Sequence, residues 1–347
     1  MPVMINLIYP QSVCRMCVKW PALWGGNMMF LMTRRKLITY KSKSFIDSLL
    51  CGGGRMLKKW AVGATLVAMP ALSYAAEATI QEVHDKPSVR GSVIANLLQE
   101  HDNPFTLYPY DTNYLIYTDT SSVNKEAIKS YNWADNARHD EVQFQFSLGF
   151  PIWRGIAGDN SLLGASYTQK SFWQLSNRAE SSPFRETNYE PQLFIAWATD
   201  YQFMGWTLRE AEYGFNHDSN GRSDPTSRSW NRLYARWMAQ NGNWQLDLKP
   251  WYRIPESDKN DDNPDITKYM GYYRLKVGYA LGDSVISVES RYNWNTGYGG
   301  ADLGVSYPIS KHMRFYTKVF SGYGESLIDY NYKQTRVGVG IMLNDIM

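Results

Sequence analysis

Val142-Gln143-Phe144-Gln145-Phe146-Ser147-Leu148-Gly149-Phe150 places an apolar side chain at every second position. Successive side chains of an extended chain point to opposite faces, so this stretch reads as a strand with one apolar face and one polar or small face. Leu246, Leu248, Pro250 and Tyr252 repeat the pattern around Asp247, Lys249 and Trp251. Val337, Val339, Ile341 and Leu343 repeat it around Gly338, Gly340, Met342 and Asn344. Twelve such segments follow one another, at roughly 105–118, 139–152, 161–174, 188–200, 203–219, 228–240, 243–256, 268–281, 284–296, 300–309, 313–325 and 334–346.

An even number of alternating segments, aromatic residues at 15% of the chain and modest hydrophobicity favour an all-β fold, a twelve-stranded antiparallel transmembrane β-barrel. No run approaches the roughly 18 apolar residues that a membrane helix needs. A soluble all-β domain is the rival, and the aromatic weighting speaks against it. The connections alternate in length, with short turns at Asp200–Gln202, Asn241-Gly242, Gly282-Asp283 and Ser310–His312. Longer polar loops stand at about 119–138, 175–187, 220–227, 257–267 and 326–333. Short periplasmic turns and long outer loops are the asymmetry of bacterial outer-membrane barrels, which puts the end of the fifth segment at the outer surface.

The N-terminal region reads differently. Met56-Leu57-Lys58-Lys59, the apolar run Trp60–Leu72 and Ser73-Tyr74-Ala75 have the order of a secretory signal peptide, expected over 56–75. Residues 1–55 are then a spurious upstream extension, residues 76–104 a periplasmic leader segment and residues 105–347 the barrel. A genuine cytoplasmic extension with a zinc or redox Cys14-x-x-Cys17 pair is the alternative, and it lacks a second Cys/His pair. Residues 1–75 hold ten of the 36 basic and one of the 33 acidic residues, so the remainder carries a net charge of −6. That balance, without cysteine, removes support for a nucleic-acid partner and for a disulfide framework.

Chemistry concentrates at the end of the fifth segment. His217 and Ser219, two residues apart, share one face of a strand as a base and a nucleophile, beside Tyr213 and Phe215. If segments five and six form a hairpin centred on Asp224-Pro225, Asn231 stands opposite His217 and its amide fixes the imidazole. By itself a His-x-Ser pair at a strand end is more often an ordinary barrel rim. In the third segment Gln169 interrupts an outward row of Leu163, Ala165, Tyr167, Ser171 and Trp173, where a polar amide is costly without a partner. Trp153, Trp173, Trp206 and Trp294 read as interfacial girdles. Arg209, Glu212, Arg236, Glu289 and Arg291 read as interior charge pairs.

Tyr213-x-x-x-His217-x-Ser219-Asn220-Gly221 with Ser227-Arg228-x-Trp230-Asn231-Arg232 resembles the signature of the outer-membrane phospholipase A family, over residues 76–347. The resemblance implies a calcium-dependent hydrolase of phospholipid and lysophospholipid acyl esters, active as a homodimer in the bacterial outer membrane with its site facing the outer leaflet. It implies Ser219 as nucleophile, His217 as proton shuttle and Asn231 as the group that holds the histidine. It also implies Ca2+ bound by the Ser227 side chain, backbone oxygen at Arg222 and Ser181 of the partner subunit. Asp224 and Asp262 match a further calcium site, and Gln169 a dimer-interface glutamine. The terminal Ile346-Met347 departs from the aromatic ending common among such barrels. A passive porin and a surface-protease or acyltransferase barrel are the competing readings, and neither uses the His217, Ser219 and Asn231 set.

Overall fold

A computed structural model describes residues 92–99, 106–257, 259 and 261–344. The expected upstream extension, the signal peptide, most of the leader and Ile346-Met347 lie outside the described residues. In chain order the elements are helix α1 (Val93–Leu98), the two-residue strand β1 (Tyr108–Pro109), β2 (Asn113–Thr120), β3 (Asp140–Arg154), β4 (Ser161–Trp173) and β5 (Phe184–Phe203). Then come β6 (Trp206–Ser219), β7 (Ser229–Asn241), β8 (Trp244–Ile254), helix α2 (Ile266–Met270), β9 (Tyr273–Leu281), β10 (Ser284–Asn293), β11 (Tyr298–Ser310), β12 (Met313–Gly322) and β13 (Gln334–Asn344). Strands β2 to β13 pair antiparallel in sequence order, and β13 returns to β2 with Ile116 opposite Gly340. The result is the closed twelve-stranded barrel.

The alternation runs inside out. In β3, Phe146 and Phe150 are exposed while Gln143 and Ser147 are fully buried, so the apolar face is the outer wall and the polar face lines the lumen. Closure leaves no unpaired strand edge, which the hydrocarbon could not satisfy. Charged residues in the lumen pair across strands: Arg236 with Asp247 at 2.7 Å, Arg274 with Asp111 at 2.9 Å and Lys318 with Asp302 at 2.8 Å. Glu212 accepts instead from the hydroxyls of Tyr110 and Tyr234, each at 2.5 Å. Arg209 is not an interior residue. A register shift between Leu208 and Glu210 frees it to pair with exposed Asp200 at the rim.

Four hairpins close on two residues, Met204-Gly205, Gly242-Asn243, Gly282-Asp283 and Lys311-His312. Gly242 and Gly282 take φ of 54° and 59°, a region that L side chains rarely adopt. At the opposite end lie the long connections 121–139, 174–183, 220–228, 255–272 and 323–333.

Two expected strands begin later than the alternation suggests. The first starts at Asn113, because Tyr110 turns into the lumen to reach Glu212. The eighth starts at Tyr273, because Ile266–Met270 is a helical turn that buries Ile266 and Met270 and ends at Gly271, φ 65°. The described part of the expected leader, Ser92–Gln99, contains α1. Ser92 caps it through a 3.0 Å bond from the Ala95 amide, and Val93, Ile94 and Leu97 are buried against Tyr110, Leu162 and Phe194. Those partners lie near the short turns, so α1 sits inside that end of the barrel.

Candidate active site

Strand β6 carries its lumen-facing residues, Glu212 and Asn216, almost wholly buried, while Tyr213 and Phe215 on the other face are 45% and 40% exposed. His217 and Ser219 continue that outer face at the long-loop end, both half-buried. The β6–β7 register sets His217 opposite Asn231 and Ser219 opposite Ser229, the pairing expected from a turn centred on residue 224. His217 Nδ1 lies 2.9 Å from Asn231 Oδ1. From the loop just beyond β8 the Asn231 amide is met on its other side, where Nδ2 donates to Glu256 Oε1 at 3.1 Å. Behind this row, Arg232 spans Glu190 at 3.1 Å and Asp218 at 3.5 Å, and the Trp230 indole donates to Asp218. These lumen contacts fix the backbone of both strands from inside, so the outward side chains rest on a rigid ladder.

The loop 220–228 is organised by Asn220, itself buried. Its Oδ1 accepts from the amides of Arg222 (3.3 Å) and Arg228 (3.0 Å), and its Nδ2 donates to Thr226 O at 2.8 Å. Asn and Asp form such local turns readily, because a short polar side chain reaches its own following backbone. The fold also sets the Arg222 guanidinium 4.8 Å from the Tyr131 ring, joining this loop to the one between β2 and β3. Burial pushes the Tyr131 phenol above its ordinary range.

Of the residues expected at calcium, Ser227 and Asp262 meet: the Ser227 hydroxyl donates to Asp262 Oδ2 at 2.5 Å. The neighbouring Asn263 Oδ1 accepts from the Ser229 amide at 3.0 Å, which ties the β8–β9 loop to the start of β7. Asp224 is exposed in the loop between β6 and β7 and makes no hydrogen bond among the described residues. Ser181 lies in the loop between β4 and β5, exposed and with φ 61°. Among the described residues no group of three or more His, Cys, Asp or Glu side chains could hold a metal. The oxygens on offer at Ser227, Asp262 and the loop 220–228 are a hydroxyl, a carboxylate and backbone carbonyls. These are hard donors of the type calcium takes, but fewer than the six to eight it prefers.

Gln169 lies on the outer face of β4, between Phe146 of β3 and Tyr189 of β5. Its amide finds partners within its own strand, accepting from Tyr167 Oη at 3.2 Å and donating to Ser171 Oγ at 3.1 Å. Asn220 and Glu256 are the two site residues that sequence reasoning did not assign. The Asn-Gly step after Ser219 is a turn signal that could have marked Asn220, and the short turn after Asn241 brings Glu256 to within two residues of the position opposite Asn231 without singling it out.

The phospholipase A1 family model matches residues 92–343. The chain is 72% identical over 292 residues to phospholipase A1 of Escherichia coli strain K12, covering 84% of this chain and 99% of that one. Among solved structures, a calcium-bound dimer of Salmonella typhi outer membrane phospholipase superposes with a TM-score of 0.72 at 73% identity, covering 75% of this chain and all of that one. Outer membrane phospholipase A from Escherichia coli, in a form with an active-site asparagine replaced by alanine, gives 0.73 at 75% identity with the same coverage. The chain therefore belongs to the phospholipase A1 family, hydrolases built as β-barrels of the bacterial outer membrane.

Proposed function

We propose that this enzyme hydrolyses acyl esters of phospholipids and lysophospholipids through a covalent acyl-serine on Ser219. The observation that carries the reading is the 2.9 Å contact of His217 Nδ1 with Asn231 Oδ1, with Ser219 two residues further along the same outward face. With Nδ1 engaged by Asn231, Nε2 is free to take the Ser219 proton as Oγ attacks the ester carbonyl. His217 then returns that proton to the departing glycerol oxygen, and the same residue activates the water that frees the fatty acid. The aromatic wall of Tyr213 and Phe215 turns the site toward lipid, so the substrate arrives laterally.

The relatives' calcium-bound dimer supports a calcium-dependent, dimeric active form here. Ser227 Oγ and the Arg222 carbonyl would hold the ion together with Ser181 of the partner subunit, and Asp262 and Asp224 would serve a further calcium. Bound there, calcium would supply positive charge that favours a developing oxyanion. The Escherichia coli structure with its active-site asparagine replaced supports the role given to Asn231. Detergent-refolded enzyme and Ser219→Ala are to be assayed on a phospholipid with calcium and with a chelator. Activity should fall by at least about a thousandfold in the variant, as for loss of a serine nucleophile, and be lost on chelation. Equal turnover by Ser219→Ala would sink the mechanism.

A further inference from the structure

The third member of the set is an asparagine, which has two faces to choose from. Asn231 can present either its carbonyl or its NH2 to His217, and the two choices have opposite consequences. A carbonyl requires Nδ1–H, leaving the Nε2 lone pair for Ser219, whereas an NH2 would donate to a bare Nδ1 and place the proton on Nε2, where no base remains. Nothing within an isolated Asn–His pair selects the first arrangement.

Glu256 does. It lies two residues beyond the end of β8, and the β7–β8 register, with Asn231 opposite Ile254, brings it alongside Asn231. Its Oε1 stands 3.1 Å from Asn231 Nδ2. A carboxylate only accepts, so the amide must turn its NH2 to Glu256 and its oxygen to the imidazole. We infer that Glu256 is a positioning residue for this reaction: it locks the Asn231 amide in the orientation that holds the productive tautomer of His217. The inference rests on the Ser219, His217 and Asn231 reading above. Glu256 also returns to the site, one hydrogen bond away, the negative charge that asparagine lacks when the imidazole becomes cationic.

Glu256→Ala, Glu256→Lys, Asn231→Ala and the Asn231→Ala/Glu256→Ala double variant test this in the full refolded barrel, with saturating calcium and phospholipid in mixed micelles. Outer partners of catalytic groups typically carry a tenfold to hundredfold effect, so kcat should fall about tenfold in Glu256→Ala with KM unchanged. Lysine is donor-only and demands the reversed amide, so Glu256→Lys should fall further, toward Asn231→Ala. Because Glu256 acts through Asn231, the double variant should match Asn231→Ala. The imidazole 15N shifts of His217, assigned by their loss in His217→Ala, should show the Nδ1–H form depleted in Glu256→Lys. Wild-type kcat in both Glu256 variants overturns the inference, as does an equal further loss in the Asn231→Ala background. Ser219→Ala run alongside separates the two failures: an inactive Ser219→Ala with unaffected Glu256 variants leaves the mechanism standing and removes only the role of Glu256.

Discussion

Asn220 shows how one side chain shapes a whole loop. Loss of its Oδ1 would leave the Arg222 and Arg228 amides without their acceptor, at about 1–3 kcal/mol for each group that stays buried. Those amides flank the Arg222 carbonyl and the Ser227 hydroxyl proposed for calcium. Asn220→Ala should therefore leave the barrel intact and raise the calcium concentration for half-maximal activity by about tenfold, the lower end for outer partners of metal ligands. Asn220→Asp keeps the acceptor for both amides and loses the donors to Thr226 O and Glu186 Oε2, so its calcium shift should be smaller. A calcium titration of activity decides it, and an unchanged midpoint in Asn220→Ala would show that the loop is held by other contacts.

At the scale of elements, the strands were legible because their side chains alternate, and the alternation survives whichever way the barrel faces. Phe146 and Phe150 needed only a lipid neighbour, and the hairpin of β6 and β7 needed only its turn centre to place Asn231 beside His217. Contacts off the direct strand register were not legible. Glu256 reaches Asn231 from beyond the end of the neighbouring strand, and Lys268–Met270 reads as the start of a strand until its packing is known. Helix α1 is the clearest case. Six residues are too few for a stable isolated helix, so its form depends on docking, with Leu97 fully buried, the Ile94 amide on Glu210 at 3.1 Å and Arg154 on the Leu97 carbonyl at 2.9 Å. Leu97→Ala should cost about 2–5 kcal/mol of that docking. Limited proteolysis should then cut ahead of Tyr108 while far-ultraviolet circular dichroism of the barrel is retained; protease resistance equal to wild type would contradict the docking.

At the scale of the molecule, the lumen and the outer wall divide the work. Buried Arg185 bridges Glu141 at 2.7 Å and Asp329 at 2.6 Å, and Arg336 bridges Glu141 at 2.8 Å and Glu325 at 3.1 Å, so the outer end is crowded with paired charge. Ile128, Trp133 and Ile328 form an apolar cluster between the long loops at that end, and α1 occupies the other. The proposed site accordingly lies on the outer wall, where the proposed dimer would also pack. Gln169 is the polar exception in the apolar row of β4, and its two intrachain bonds, to Tyr167 and Ser171, do not use the full capacity of an amide. Paired across a two-fold axis with its copy, it would gain contacts in a medium without competing water. Interhelical amide bonds in membranes are worth about 1–2 kcal/mol, so Gln169→Leu should weaken the proposed calcium-dependent dimer by about tenfold. The monomeric barrel should stay folded, since leucine suits a lipid-facing position. Cross-linking yield against protein concentration, read beside activity, tests this: a dimer fraction and activity unchanged in Gln169→Leu would place the dimer contact on another part of the wall.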